Sequence, residues 1–209
     1  MEHAKMLKWM EAGLKNPLDE SPALYEAALT EFAGHSFRDA SLNEILKAAN
    51  MNKGSFYYRF RDKMELYLSL LHRVGMEKLK LFEEAGIKRT SSGFFDEFRN
   101  MATIGLRLVQ RDARFLAFSR RILEEEPVVR ERISTQFGAL SESVLKDMVE
   151  RAKASGEFRQ DLPTDTAVFV IETLLNRLDA LAPFELDEAG VGAAIDRLLD
   201  VIRNGVCPG

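Results

Sequence analysis

Cations and aromatic side chains are concentrated in one short stretch of this 209-residue chain, NMNKGSFYYRFRDKMEL. Its charged and aromatic members are Lys53, Arg59, Arg61, Lys63, Phe56, Tyr57, Tyr58 and Phe60. Lysine and arginine can donate hydrogen bonds to phosphates and to guanine, and tyrosine hydroxyls can reach phosphates from rigid rings. From Asn50 to Lys63 the four cations face one anion, Asp62, although the whole chain has a formal net charge of -4. The stretch therefore has the chemistry of a surface for nucleic acid.

Helix start signals around this stretch predict two short helices at helix-turn-helix spacing. Ser41 and Glu44 form a capping-box pattern that opens a helix over residues 42–49. Asn50 tolerates the left-handed conformation that closes such a helix, and Asn52 can cap a second helix over residues 53–59. In a helix-turn-helix the second helix enters the major groove with its N-terminal end against the base edges. Spacing and charge alone do not exclude the alternative to DNA binding, which is a solvated basic helix that covers a packed core.

The residues expected to contact DNA in this arrangement are Ser41, Asn52, Lys53, Gly54, Ser55, Tyr57, Tyr58, Arg59 and Lys63. Small residues at the start of the second helix permit close approach, and Lys53 can donate to guanine. The Ser41 hydroxyl and the neighbouring backbone N–H groups at a helix start could bind a phosphate. Phe56 and Phe60 lie four residues apart, and we expect them to point inward and to anchor the helix.

The rest of the chain has a helical period almost throughout, which predicts an all-α protein. A short amphipathic helix is expected over residues 3–14, and a second begins at Ser21-Pro22 and ends near Gly34. After a composition break at residues 86–93, helices are expected over residues 94–110, 113–125, 127–154, 164–181 and 188–203. The predicted organisation is an extra N-terminal helix (residues 1–20), a three-helix domain with the helix-turn-helix (residues 21–66) and a larger helical domain (residues 67–209).

Composition argues against several other classes of protein. The longest charge-free run is short of the roughly 18–20 residues that a membrane-spanning helix needs, and no secretory signal is expected, so we expect a cytoplasmic protein without a membrane partner. One cysteine and three scattered histidines provide neither a disulfide framework nor a metal site, and no cofactor is expected. An all-α enzyme remains a remote alternative, because Glu124-Glu125-Glu126 point around a helix end and no histidine is near them.

The stretch from Lys53 to Leu66, together with Gly34-His35, Ser41–Ile45 and Ala48–Asn50, resembles the DNA-binding domain of TetR-family transcriptional regulators. The resemblance covers residues 21–71, and a step at residues 156–161 is also similar to the family. It implies a repressor that binds a palindromic operator in double-stranded DNA as a homodimer paired through its last two long helices, and that a small molecule releases. It places Tyr57 and Lys63 on phosphates, Lys53, Ser55, Tyr58 and Arg59 toward the groove, and Phe60 in the core.

Two departures from the family pattern concern the turn and the N-terminal arm. Asn50 stands where glycine is usual, which asparagine tolerates. Acidic Asp19 and Glu20 precede the first domain helix, where many relatives carry a basic arm, and an extra helix comes before them. Either lysines of that helix (Lys5, Lys8 and Lys15) replace the arm, or the helix packs on the protein; we favour packing.

Large or flexible apolar side chains in the C-terminal domain are typical of an adaptable pocket for an apolar or aromatic ligand. The candidate effector-binding residues are Met76, Phe98, Met101, Phe115, Phe118, Phe137, Met148, Phe169, Glu172 and Asn176. Taken one by one, most of these residues are better explained by ordinary core packing. Glu172 and Asn176 could orient a ligand, bond across a dimer interface or face water. Control by a protein partner, or by no ligand, remains the alternative to a small effector.

Overall fold

All regular secondary structure in the described part of the chain, residues 7–84, 93–176 and 188–206 of a computed structural model, is α-helical. This agrees with the all-α prediction. The helices are α1 (Lys8–Glu11), α2 (Pro22–Gly34), α3 (Leu42–Ala48), α4 (Lys53–Arg59), α5 (Lys63–Glu84), α6 (Phe94–Arg111), α7 (Arg114–Glu124), α8 (Pro127–Ala154), α9 (Thr164–Asn176) and α10 (Glu188–Val206). The composition break at residues 86–92 and the end of the predicted helix over residues 164–181 lie outside the described residues.

The helix predicted over residues 3–14 is a single turn in the described part of the chain. α1 ends at Glu11, and Gly13 has a φ of +66°, a conformation that side chains with a Cβ rarely adopt. The Leu14 N–H then donates to the carbonyl of Trp9 at 2.8 Å, which closes a turn in place of a further helical turn. Leu14, expected on the apolar face, is 65% exposed as a result.

The chain divides into two compact units. Unit 1 contains the chain up to Leu81 and Arg107–Gly138, and unit 2 contains Phe82–Leu106 and the chain from Ala139 onward. In unit 1 the Tyr67 ring packs edge-on against Phe32, with 4.9 Å between ring centroids, and against Phe118 at 5.6 Å. The predicted boundary between domains after Leu66 stays a prediction.

Helix α7 is fixed on α2 within unit 1 through the guanidinium of Arg114. This group donates to Glu26 Oε2 at 2.6 Å and to Thr30 Oγ1 at 2.7 Å. The Asp112 carboxylate, which precedes α7, holds the same guanidinium at 2.5 Å, and this pairing lowers the pKa of Asp112. Helix α2 is thereby tied to a helix that lies more than 80 residues further along the chain.

Unit 2 is built around phenylalanine rings and aliphatic side chains of four helices. The Phe94 and Phe158 ring centroids lie 4.6 Å apart, and both side chains are buried with Ile171 of α9 and Ile195 of α10. Glu157 starts α6 by accepting a hydrogen bond from the N–H of Phe94 at 2.8 Å. Fully burying an aliphatic or aromatic side chain of this size contributes about 1.5–3 kcal/mol, so this cluster holds α6, α8, α9 and α10 together.

Candidate nucleic-acid interface

The turn between α3 and α4 has the geometry that the sequence predicts. Asn50 has a φ of +49°, within the left-handed region that asparagine tolerates. Asn52 Oδ1 accepts a hydrogen bond from the N–H of Ser55 at 2.8 Å, and so caps α4. Asp62 Oδ1 caps α5 in the same way, accepting from the N–H of Glu65 at 2.8 Å. The predictions for Asn50 and Asn52 are confirmed.

One predicted cap forms only in part. Ser41 Oγ accepts from the N–H of Glu44 at 3.3 Å, as a capping box requires. The N–H of Ser41, however, donates to Glu31 Oε1 of α2 at 2.7 Å and not to the side chain of Glu44. Helix α3 is consequently tied to α2 at its start.

Helix α4, which we call the reading helix, is anchored by two fully buried rings. Phe56 and Phe60 are each 0% exposed, and their ring centroids lie 5.4 Å apart. Both therefore point inward as predicted. The opposite side of the helix faces solvent, with Tyr57 52% exposed and Tyr58 80% exposed. The anchored rings thus hold the two tyrosines rigidly at the surface.

The N-terminal end of the reading helix is open for close approach. Asn52, Lys53 and Gly54 are exposed, and Ser55 is partly exposed. A Cβ at Gly54 would lie 3.3 Å from Asn52 Oδ1, the atom that caps the helix, so a larger residue would press on that cap. Arg59 lies at the other end, with its guanidinium donating to the carbonyl of Ser55 at 2.9 Å. Of the predicted contacts on α4, Lys53, Gly54, Tyr57 and Tyr58 are thus exposed, and Ser55 and Arg59 are partly exposed.

The ammonium group of Lys63 makes its hydrogen bonds to backbone carbonyls of the same protein. Its ammonium donates to the carbonyls of Phe37 at 2.6 Å and Ala40 at 2.7 Å, and lies 4.7 Å from the centroid of the Phe37 ring. Desolvation lowers the pKa of Lys63, and nearby carboxylates oppose that effect. Lys63 therefore fixes the loop that leads to Ser41, and its contact with phosphate stays a prediction.

Sequence reasoning missed two buried carboxylates that position this surface. Glu65 of α5, 4% exposed, accepts from the N–H of Arg61, directly after the reading helix, at 2.5 Å. Glu125, also 4% exposed, accepts from the N–H of Phe37 at 2.7 Å, 88 residues away. The guanidinium of Arg61 pairs with Glu11 and lies 3.8 Å from Glu65 Oε1. Glu65 lies three residues after the helix-capping Asp62, and this local spacing could have drawn attention to it. No local sequence pattern indicates the role of Glu125.

The candidate effector residues of unit 1 lie in different environments. Phe115 and Phe118 of α7 are buried, and Phe118 contacts Tyr67. Phe137 packs at the margin of a separate cluster formed by Leu7, Trp9 and Leu68. Met76 is 51% exposed. The structure does not gather these four side chains into one cluster.

The candidate effector residues of unit 2 also divide between core and surface. Phe98 and Met148 are buried in the core of this unit, and Met101 packs against it. Phe169 is 69% exposed, and Glu172 is partly exposed. Asn176 is the last residue of α9, and its side chain is not among those described. An effector role for the whole set stays a prediction.

The described residues contain neither a metal-binding cluster nor a membrane-spanning helix. Among them, no three or more histidine, cysteine, aspartate or glutamate side chains are grouped to hold a metal ion. No helix within those residues has the length and apolar character required to span a membrane.

Comparison with known families places the helix-turn-helix in a defined group. The family model described as bacterial regulatory proteins, tetR family, matches residues 24–70, which include α3 and the reading helix. The transcriptional repressor AcnR of Corynebacterium glutamicum is 21% identical over 187 residues, 90% of this chain and 94% of that protein. Residues 24–70 therefore form a domain of the tetR family type.

Solved TetR-family structures share the fold over most of the chain. A TetR-family transcriptional regulator from Chloroflexus aurantiacus superposes with a TM-score of 0.72 and 22% identity, covering 98% of this chain and 100% of that one. FadR from Bacillus subtilis, solved in complex with stearoyl-CoA, gives a TM-score of 0.71 and 16% identity, covering 88% and 98% respectively. The TetR-family fold therefore extends beyond the DNA-binding domain into the C-terminal helices.

Proposed function

We propose that this TetR-family chain is a transcriptional repressor that acts by binding DNA, and not by catalysis, in the cytoplasm where that DNA lies. The observation that carries the proposal is the reading helix: Phe56 and Phe60 anchor it, while Lys53, Tyr57 and Tyr58 stand at the surface. The exposed cation and hydroxyls provide donors for guanine and for phosphates.

A homodimer through α9 and α10 fits the exposed surface of these helices. One side of α9 presents Thr166, Phe169, Val170 and Thr173 at helical spacing, all exposed and uncharged. Val201 of α10 is 66% exposed. Exposed apolar groups of this kind are typical of an interface with another protein chain. Two-fold pairing would set two reading helices about one DNA turn, ~34 Å, apart or slightly more, and would require a palindromic operator.

A small, largely apolar effector is the proposed control signal. Support comes from B. subtilis FadR, which has this fold and was solved with stearoyl-CoA. Such a ligand would release DNA by stabilising a dimer whose reading helices are wrongly spaced for the operator. A regulator controlled by a protein partner, or by no ligand, is the alternative.

Fluorescence anisotropy with labelled DNA from the region flanking the chain's own gene tests this function. We expect the purified homodimer to bind this DNA, and a molecule co-purified with it, identified by native mass spectrometry, to weaken binding. Stearoyl-CoA and stearate serve as the first added probes. Equal DNA affinity with and without a bound small molecule would overturn the effector proposal, and absence of DNA binding would overturn the function itself.

A further inference from the structure

Residues Leu7–Leu18, which we call the strap, are fastened to α5. Trp9 Nε1 donates to Ser69 Oγ at 2.8 Å, and Asn16 Nδ2 donates to the carbonyl of Ser69 at 2.8 Å. Trp9 and Asn16 are 6% and 3% exposed, and Leu7 is buried against Leu68 of the same helix. Two buried side-chain hydrogen bonds and an apolar contact thus fix the strap on α5.

Lys8 of the strap reaches the C-terminal end of the reading helix. Its Nζ donates to the carbonyl of Tyr58 at 2.6 Å and to the carbonyl of Tyr57 at 3.3 Å. The last carbonyls of a helix have no N–H partner within it, and a cation beside them is also favoured by the helix dipole. Lys8 therefore caps the reading helix from outside.

Glu65 links the strap to the turn that follows the reading helix. Its Oε1 accepts from the N–H of Lys8, and its Oε2 accepts from the N–H of Arg61. The guanidinium of Arg61 pairs in turn with Glu11 of the strap. The reading helix and the turn after it are consequently held to the strap by Lys8, Glu65 and Glu11.

We propose that the strap is a positioning element for DNA reading: Lys8 holds the C-terminal end of α4 in place, so that the strap sets operator affinity without itself contacting DNA. The ammonium of Lys8 donates to two backbone carbonyls at the end of α4. This is the geometry of a helix cap and not that of a contact with phosphate. The inference rests on the proposed DNA-binding function.

The test compares Lys8→Met with Lys15→Met, which removes the same charge from an exposed position of the strap. Both are titrated against operator DNA by anisotropy at several salt concentrations. We expect Lys8→Met to bind about threefold to tenfold more weakly, as loss of a helix-end cation predicts, and Lys15→Met to bind like wild type. The slope of log affinity against log salt should stay unchanged in Lys8→Met, since a lost phosphate contact would reduce it by about one.

A measurement without DNA separates this proposal from the function on which it rests. Hydrogen exchange of the Phe60 amide, which donates to the carbonyl of Phe56 at 2.9 Å, should be faster in Lys8→Met than in Lys15→Met. Emission of Trp9, the only tryptophan of the chain, should stay unchanged, showing that the strap remains docked. Wild-type affinity in Lys8→Met, a reduced salt slope or unchanged exchange would each overturn the positioning role. Failure of the wild-type chain to bind DNA would instead refute the proposed function.

Discussion

At the scale of single residues, Lys63 supports the DNA-binding surface by holding a loop of the protein in place. The family resemblance places it on a phosphate, whereas its ammonium is bound to carbonyls of the loop between α2 and α3. That loop leads to Ser41, which begins α3. Loss of Lys63 should therefore loosen the support of the surface as well as remove a cation.

Lys63→Met should lower the free energy of unfolding by about 1–3 kcal/mol, because its charged hydrogen bonds to partly buried carbonyls are lost. Lys47→Met is the matched control, since the Lys47 side chain is 80% exposed and pairs only loosely with Glu44 at 3.7 Å. The control should stay within about 0.5 kcal/mol of wild type. Urea denaturation of the three proteins checks this, and a Lys63→Met protein as stable as the control would contradict it.

The residues predicted correctly from sequence are those whose partners are close in the chain. Asn52 caps an N–H three residues away, and Phe56 and Phe60 share one face by helical spacing. Lys63 meets carbonyls 23 and 26 residues away, and Glu125 accepts from Phe37 across 88 residues. Contacts over such separations depend on how helices pack, and no local pattern specifies that packing.

At the scale of elements, the strap differs most from its sequence prediction. Helical periodicity extends to Leu14, but Gly13 turns the chain and α1 ends after one turn. Its expected packing on the protein is nevertheless confirmed by the hydrogen bonds of Trp9 and Asn16 to Ser69. The Trp9 ring also meets the His72 ring edge-on, with 5.1 Å between centroids. The docked strap therefore has a titratable side chain of α5 beside it.

Acidification should weaken the docked strap through His72. Burial lowers the pKa of His72, and the charge of Asp19 opposes this only in part. The unfolded chain then binds a proton more readily than the folded one, so stability is lost as pH falls below about 6.5, the ordinary histidine pKa. Thermal unfolding between pH 7.5 and 5 should show this loss.

The matched variants for this prediction are His72→Gln and His35→Gln. His72→Gln should remove part of the acid-side loss of stability, whereas His35→Gln, at an imidazole whose side chain is 56% exposed, should leave that part in place. An identical pH profile for wild type and His72→Gln would contradict the role of His72. Trp9 emission, followed in the same samples, reports whether the strap is the part that responds.

At the scale of the whole molecule, the fold class and the family type of the DNA-binding domain follow from sequence, while the effector site does not. Helical periodicity and capping signals specify nearly every described helix. The ten candidate effector residues were chosen for their chemistry alone, and some of them are core side chains while Met76 and Phe169 are exposed. Apolar spacing on a helix identifies an apolar face, but it does not distinguish core, ligand and dimer partner.

Phe169→Asp should convert the proposed homodimer to monomer, because it would place a charge on the exposed apolar side of α9. Val128→Asp is the control, since Val128 is 60% exposed and belongs to α8, which is not one of the proposed interface helices. Light scattering coupled to size exclusion should give a monomer for the first variant and a dimer for the second. A dimeric Phe169→Asp protein would contradict pairing through α9.

The salt dependence of operator binding tests the central claim most directly. For the DNA flanking the gene, the logarithm of the wild-type affinity should fall steeply and linearly with the logarithm of the salt concentration, because binding releases counterions from the phosphates. Lys53→Ala should weaken operator binding by about 1–3 kcal/mol and relax sequence preference, if Lys53 contacts a base. An affinity for this DNA that does not change with salt, or that equals the affinity for unrelated DNA, would contradict the account.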